Sequence, residues 1–303
     1  MSLITCENLT LGYEGKAILS GLNFTVNSGN YLCIVGENGS GKSTLIKLLL
    51  KELEPTEGTI TVNGKELKKI KKKQADIWNE RQPTIAFLGD SVTHGCFELY
   101  VKNDRIEAGV RTKDSDSEKV KAIFGKLYPT VPLNIINAGL SGDTAENGLK
   151  RLERDVLSYR PDTVVVCYGL NDAMFGRDGA ETYINSLKRI FGQIKSAGAE
   201  IIFLTPNVRS DNLSILFEKE KLNDCAKNVI KNEREGWLTE YLNMARELCK
   251  SENIVICDCN HIWNMFRSND VDINNILSNR INHPTEEMGQ IFAYELVRTM
   301  FEN

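Results

Sequence analysis

Two sets of residues in this chain have the types and spacing to do chemistry, and the two chemistries are unrelated. The first is contiguous: Gly36-Glu37-Asn38-Gly39-Ser40-Gly41-Lys42-Ser43. Its glycines let backbone N–H groups wrap around phosphate oxygens, Lys42 is placed to reach the terminal phosphates, and Ser43 offers a hydroxyl to Mg²⁺. The second is dispersed over Gly89-Asp90-Ser91, Ser141-Gly142-Asp143-Thr144, Gly169-Leu170-Asn171-Asp172 and Asn282-His283-Pro284. A lone Gly-Asp-Ser is ordinary turn chemistry. The meaning of the second set therefore depends on where its four blocks fall in the fold.

The elements around each set give it a place. Residues 3–12 alternate like a strand, and 24–26 and 31–35 read as further strands. The last of these runs straight into the glycine-rich loop, and an apolar helix begins at Ser43 with Thr44, Leu45, Ile46, Leu48 and Leu49. Strand, loop and helix in that order are the context a phosphate loop requires. From Pro83 onward, apolar runs at 85–88, 133–136, 164–167, 201–204 and 254–256 read as five buried parallel strands. Helical patterns separate them at 117–127, 145–158 and 181–196, with one or two more inside 215–250. The last helix spans 286–302 behind Thr285 as its N-cap. Strand–helix alternation of this kind predicts an α/β fold, a three-layer doubly wound (flavodoxin-like) parallel sheet. Ligands bind such sheets at the carboxyl ends of the strands. Three of the four dispersed blocks follow strands there, and His283 precedes the last helix.

Composition excludes some functions. The 303 residues allow about two domains. No apolar run approaches the roughly 20 residues of a membrane span. The N-terminus lacks a basic region followed by an apolar core, so it does not read as a signal peptide. Eight cysteines without an export signal predict free thiols in the cytoplasm. The net charge of −4 is uneven: residues 1–73 carry 10 Lys and 7 Glu, and the remainder carries 27 basic and 34 acidic residues. The run Lys68-Lys69-Ile70-Lys71-Lys72-Lys73 has no interleaved aromatic residue. It reads as part of a basic, polar linker over 68–82 and not as a nucleic-acid patch.

On the residues just given, and on Pro55-Thr56-Glu57-Gly58-Thr59-Ile60-Thr61-Val62-Asn63-Gly64, the segment 1–67 resembles the start of an ABC-transporter ATPase subunit. The resemblance implies an adenine-stacking ring at Tyr13 and phosphate contacts from Gly36, Asn38, Gly39, Ser40, Gly41, Lys42, Ser43 and Thr44. ATP and Mg²⁺ are the candidate ligands. The family's glutamine loop, LSGGQ signature, Asp-Glu strand and switch histidine do not follow. Gln82, Leu140-Ser141-Gly142-Asp143 and Val164–Val166 ahead of Asp172 only imitate three of them. The segment is expected to be a truncated nucleotide-binding fragment without ATPase turnover, and association with a transporter is left open.

Residues 83–303 resemble the SGNH/GDSL hydrolases, on the four blocks and on Asn137-Ala138-Gly139-Leu140-Ser141-Gly142-Asp143-Thr144 followed by Gly148-Leu149-Lys150-Arg151-Leu152. The resemblance implies a serine esterase acting on small acyl esters, O-acetylated carbohydrates among them. Ser91 corresponds to the nucleophile, His283 to the general base, and Gly142 and Asn171 to oxyanion-hole donors. Such chemistry needs no cofactor. One position departs from the pattern: the family usually has Asp three residues before the histidine, where this chain has Arg280 after Asn279. The expectation is a Ser–His dyad, with a backbone or Asn279 carbonyl holding the ring, unless Asp270 or Asp272 supplies the acid. Two other histidines remain. His94 reads as a wall residue. His261 alternates with Cys257 and Cys259 as if on one strand face, but the set lacks a fourth zinc ligand, and no metal is expected. Asp90 and Asp172 read as braces of their loops.

Overall fold

The computed structural model describes residues 2–13, 16–27, 37, 40–42, 44, 45, 56–62 and 68–302. The expected strand at 31–35 lies outside the described residues, as do Gly36, Asn38, Gly39 and Ser43. The chain divides into two compact units, one formed by residues 1–66 with the final few residues of the chain and the other by residues 67–299.

In the first unit, β1 (Ser2–Tyr13) is flanked by β2 (Lys16–Asn27) and β3 (Glu57–Val62), both antiparallel to it. The second strand is much longer than the expected 24–26. Its core is small: Cys6, Leu9, Leu11 and Leu45 are buried, with Leu19, Leu22 and Phe24 packed against them.

The second unit contains a five-stranded parallel sheet. Its strands are β4 (Thr84–Gly89), β7 (Asn134–Gly139), β8 (Thr163–Cys167), β9 (Glu200–Leu204) and β10 (Val255–Cys257). They lie in the order β10-β9-β8-β4-β7, which is the flavodoxin-like order. Each strand matches one of the five apolar runs. Successive side chains alternate between faces, so both faces must be covered. Ala86, Leu88, Val164, Val166, Ile201 and Phe203 pack under three helices, Ala145–Asp155, Gly176–Ser196 and Trp237–Glu252. Ile85, Phe87, Val165, Ile202 and Leu204 point the other way. Helices Asp116–Leu127, Cys259–Ser268 and Glu286–Glu302 bury Val120, Phe124, Trp263, Phe292 and Leu296 in addition to these. The fold is the expected doubly wound α/β sheet.

Four features depart from the sequence reading or extend it. Lys68–Ala75, within the segment read as a linker, is helical and buries Ile70 and Lys73. The region 215–250 holds two helices, Glu220–Arg234 and Trp237–Glu252. A hairpin, β5 (Cys96–Lys102) with β6 (Arg105–Val110), follows the first parallel strand. The strand at 255–257 stops at Cys257, and Asp258 caps a helix by accepting the His261 N–H at 3.3 Å. Cys257, Cys259 and His261 therefore do not share a strand face.

Candidate active site

Strand register brings the dispersed blocks together. Gly89 at the end of β4 pairs with Gly139 of β7 on one side and with Cys167 of β8 on the other. Ser91, Gly142 and Asn171 follow these three paired positions by two, three and four residues, so they leave the sheet from one edge and one level. Ser91 opens a single helical turn, Ser91–His94, capped by Asp90, whose Oδ1 accepts the Val92 N–H at 2.9 Å. That turn lies directly on the end of β7: a Cβ on Gly139 would come within 2.3 Å of the His94 nitrogen. Glycine is required there by contact with backbone, not by torsion angle.

The second and third blocks are held by buried polar groups. Arg151 Nε donates to Asp143 Oδ2 at 2.9 Å, Nη1 to the Ala138 carbonyl at 2.6 Å, and Nη2 to the Gly89 carbonyl at 3.1 Å and the Tyr168 hydroxyl at 3.1 Å. Tyr168 in turn donates to Asp143 Oδ2 at 2.8 Å. One guanidinium thus ties together the ends of three strands and the loop carrying Gly142, which adopts φ +76°. Asn171 Nδ2 donates to the Asp143 carbonyl at 2.9 Å, and a primary amide retains a second N–H for a ligand. Asp172 accepts the Ala145 N–H at 2.9 Å and the Gly169 N–H at 3.1 Å, the bracing role expected of it. Arg151 is a site residue beyond those expected from the sequence. A signal was present, because Arg151 falls on the same helical stripe as Ala145, Gly148 and Leu152, where an apolar residue would be ordinary.

His283 reaches this edge from the far end of the chain. Its Nε2 lies 3.0 Å from Ser91 Oγ, and both residues are buried. The turn before it is organised by Asn279, whose Oδ1 accepts the N–H groups of Ile281, Asn282 and His283 at 3.1, 2.9 and 2.9 Å. The other end of that amide, Nδ2, lies 3.2 Å from His283 Nδ1 and donates to Asn282 Oδ1 at 2.9 Å. This corrects the expected arrangement: the ring meets an amide nitrogen, not a carbonyl oxygen. Arg280 adopts φ +57° and turns away, donating to the Asn274 carbonyl and to Asn275 Oδ1. Asp272 is engaged with Asn274 and Asn275. Among the described residues, no carboxylate hydrogen-bonds the imidazole.

Burial sets the electrostatics. Desolvation pushes the His283 imidazolium down to about 4, with no neighbouring charge to offset it. Desolvation likewise raises the Asp90 and Asp172 carboxyls to about 7, although backbone N–H groups favour their ionised forms. His94 is half-buried, and its imidazolium is also lowered by desolvation. Among the described residues, no group of three or more His, Cys, Asp and Glu side chains could hold a metal ion.

In the other unit, the described part of the glycine-rich loop is compact. Gly41 has φ +86°, and a Cβ there would strike Ile18 and Leu19 at 2.8 and 2.9 Å. Lys42 Nζ donates to the Glu37 carbonyl at 2.5 Å, and Ser40 Oγ lies 3.4 Å away. Lys42, Thr44 and Leu45 are helical, and Tyr13 pairs with Lys16 across the first hairpin.

Comparison with known proteins separates the two sets. Residues 87–291 match the model of the GDSL-like lipase/acylhydrolase family, and residues 19–128 match the ABC transporter model. The two matches overlap over 87–128, where the structure has the end of β4, Ser91 and the hairpin. Residues in the first region are 41% identical over 71 positions to an uncharacterized ABC transporter ATP-binding protein of Methanocaldococcus jannaschii, covering 23% of this chain and 24% of that protein. The chain spans about a fifth to a quarter of the length of the first curated relatives it matches. Among solved structures, it is similar to a lipase/acylhydrolase from Enterococcus faecalis at TM-score 0.53 and 23% identity, over 72% of this chain and 94% of that one. An acetylxylan esterase from Geobacillus stearothermophilus is similar at TM-score 0.53 and 19% identity, also over 72% and 94%. These two share its fold.

Proposed function

This chain belongs to the GDSL-like lipase/acylhydrolase family, and we propose that it is a serine ester hydrolase in which Ser91 and His283 carry the chemistry on small acyl esters. O-acetylated carbohydrates are the first substrate class to test. The observation that carries the reading is the buried 3.0 Å contact between Ser91 Oγ and His283 Nε2 at the carboxyl edge of the sheet. In this reading Ser91 Oγ attacks the ester carbonyl carbon as its proton passes to Nε2. The charge that develops on the carbonyl oxygen is met by the Ser91 and Gly142 N–H groups and the free N–H of the Asn171 amide. The intermediate collapses, the alcohol leaves with the proton from His283, and water repeats the sequence to free the acid and restore Ser91. The expected result for Ser91→Ala is a loss of about 10³-fold or more in kcat against p-nitrophenyl acetate, with the fold retained. A fluorophosphonate should label Ser91 in the wild type alone. Full turnover in the variant, or labelling elsewhere, refutes the assignment.

A second reading concerns the other unit and is favoured by the ABC transporter match. Here residues 1–67 are a truncated nucleotide-binding fragment joined by 68–82 to the hydrolase at 83–303. ATP with Mg²⁺ at the Lys42 loop regulates or localises the hydrolase and is not turned over. Calorimetric titration of the full chain with MgATP, compared with Lys42→Ala, tests it; the absence of heat in the wild type leaves the fragment without a nucleotide role. The seven described cysteines are free thiols, which supports a cytoplasmic setting. No helix of the described residues is long and apolar enough to cross a membrane.

A further inference from the structure

The proton on a neutral imidazole sits on one nitrogen only, and the partner of the other nitrogen decides which. At Nδ1 of His283 that partner is Asn279, and the direction of the Asn279 amide is determined by its neighbours. Its Oδ1 receives three backbone N–H groups, from Ile281, Asn282 and His283. Rotating the amide by half a turn would strip all three of their acceptor and aim N–H groups at them. Asn282 Oδ1 accepts from Asn279 Nδ2 in the same arrangement. What faces Nδ1 is therefore a donor, 3.2 Å away in a buried site, and Nδ1 must be the acceptor. The ring proton is then on Nε2, pointing at Ser91 Oγ.

From this geometry we infer that Asn279 is a positioning residue that holds His283 in the Nε2–H tautomer, and so holds Ser91 below the reactivity its surroundings otherwise provide. The inference rests on the reading of Ser91 and His283 as nucleophile and base. A base must present a lone pair to the Ser91 proton, and in the Nε2–H tautomer that lone pair is absent. Turnover then passes through the minor Nδ1–H form, in which Nδ1–H and Asn279 Nδ2–H are donor against donor. The imidazolium formed as Ser91 attacks meets the same clash. In serine proteases, replacing the acid of the triad by its amide preserves geometry and lowers kcat about 10⁴-fold through the wrong tautomer. In this chain the amide is the native residue.

Asn279→Asp reverses the arrangement with little change of shape. One carboxylate oxygen keeps the three backbone N–H groups, the other accepts Nδ1–H, and the half-buried Asn282 amide can turn to donate. Two measurements test the inference. In ¹⁵N-labelled wild type at neutral pH, His283 Nδ1 should resonate as an unprotonated, pyridine-type nitrogen, and in Asn279→Asp as a protonated, pyrrole-type one. A pyrrole-type Nδ1 in the wild type overturns the inference, whether or not the variant folds. Turnover of p-nitrophenyl acetate by Asn279→Asp should rise by on the order of 10²- to 10⁴-fold, and Ser91→Ala in that background should remove the gain. Asn279→Ala should give no comparable gain, because it supplies no acceptor. A switched tautomer with unchanged kcat also overturns the inference. Failure of the underlying catalytic reading looks different: Ser91→Ala would then leave wild-type turnover intact.

Discussion

The acid limb of the pH–rate profile is the most direct test of what surrounds His283. A histidine in water gains its second proton near 6.5, and burial pushes that of His283 down to about 4. At about 1.36 kcal/mol per pH unit, the displacement corresponds to roughly 3 kcal/mol against the charged ring. In a triad, a carboxylate on Nδ1 would offset this by stabilising the imidazolium. Here the polar neighbours of the ring are the Ser91 hydroxyl and the Asn279 amide, and neither carries charge. The neutral base should therefore be fully present at pH 6. With p-nitrophenyl acetate, kcat/KM should be level from about pH 6 to 8 and fall with a midpoint between about 4 and 5. The same group affects stability. The unfolded chain protonates His283 near 6.5 and the folded chain only near 4, so stability is lost as pH falls through that interval and is complete above it. Chemical denaturation of the wild type and His283→Gln at several pH values isolates this contribution by difference. An activity midpoint near 6.5 or 7, or a difference that does not change between pH 7 and 4, would refute the argument from burial without charge.

Two further outcomes follow from the geometry. Asn171→Ala removes one proposed oxyanion donor and its link to the Asp143 carbonyl, and should cost about 10²–10³ in kcat with little change in KM; a change confined to KM would make Asn171 a ground-state contact. Asp90, raised to about 7, keeps its proton in the folded chain where the unfolded chain has lost it, so its contribution to stability falls as pH rises from about 4 to 7. Urea denaturation should show Asp90→Asn gaining on the wild type by up to about 4 kcal/mol across that interval, and a constant difference would show that Asp90 is ionised throughout.

Much of this arrangement was legible because it rests on patterns with a strong physical basis. The inner strands β4, β8 and β9 are buried nearly throughout and appear as uninterrupted apolar runs, while the edge strands β7 and β10 are only partly buried. The carboxyl ends of the strands are marked by the glycines that let Ser91 and its turn lie against β7. Other features depend on contacts that no local pattern encodes. The alternation of Cys257, Cys259 and His261 suggested a strand face, but Asp258 supplied a helix cap between them, and the cap prevailed. The hairpin at 96–110 alternates weakly, and its one clear signal was the pair Asn103-Asp104, both of which adopt positive φ in the turn. At the histidine, the sequence showed only that the usual acid was missing. That the replacement is an amide nitrogen, with its oxygen held by three backbone N–H groups, is a property of the turn at 279–283 and appears only with coordinates.

The two halves of the proposed chemistry are built by different means, and this explains how one could be altered without the other. The anion-binding half consists of backbone N–H groups and one amide, locked by a buried guanidinium whose partners lie on three strands and the Gly142 loop. Nothing in it depends on where a mobile proton resides, and changing it would disturb the sheet edge itself. The base half depends on a single proton whose position is decided by one side chain in the turn before His283. Arg280 at the family's usual acid position points out of the site, so that exchange leaves the turn intact, and Asn279 carries the whole burden of shaping it. An aspartate at 279 could make the same three backbone contacts, so folding alone does not require the amide. The choice between the two residues acts on the tautomer of His283, and through it on the rate at which an otherwise assembled site can use Ser91.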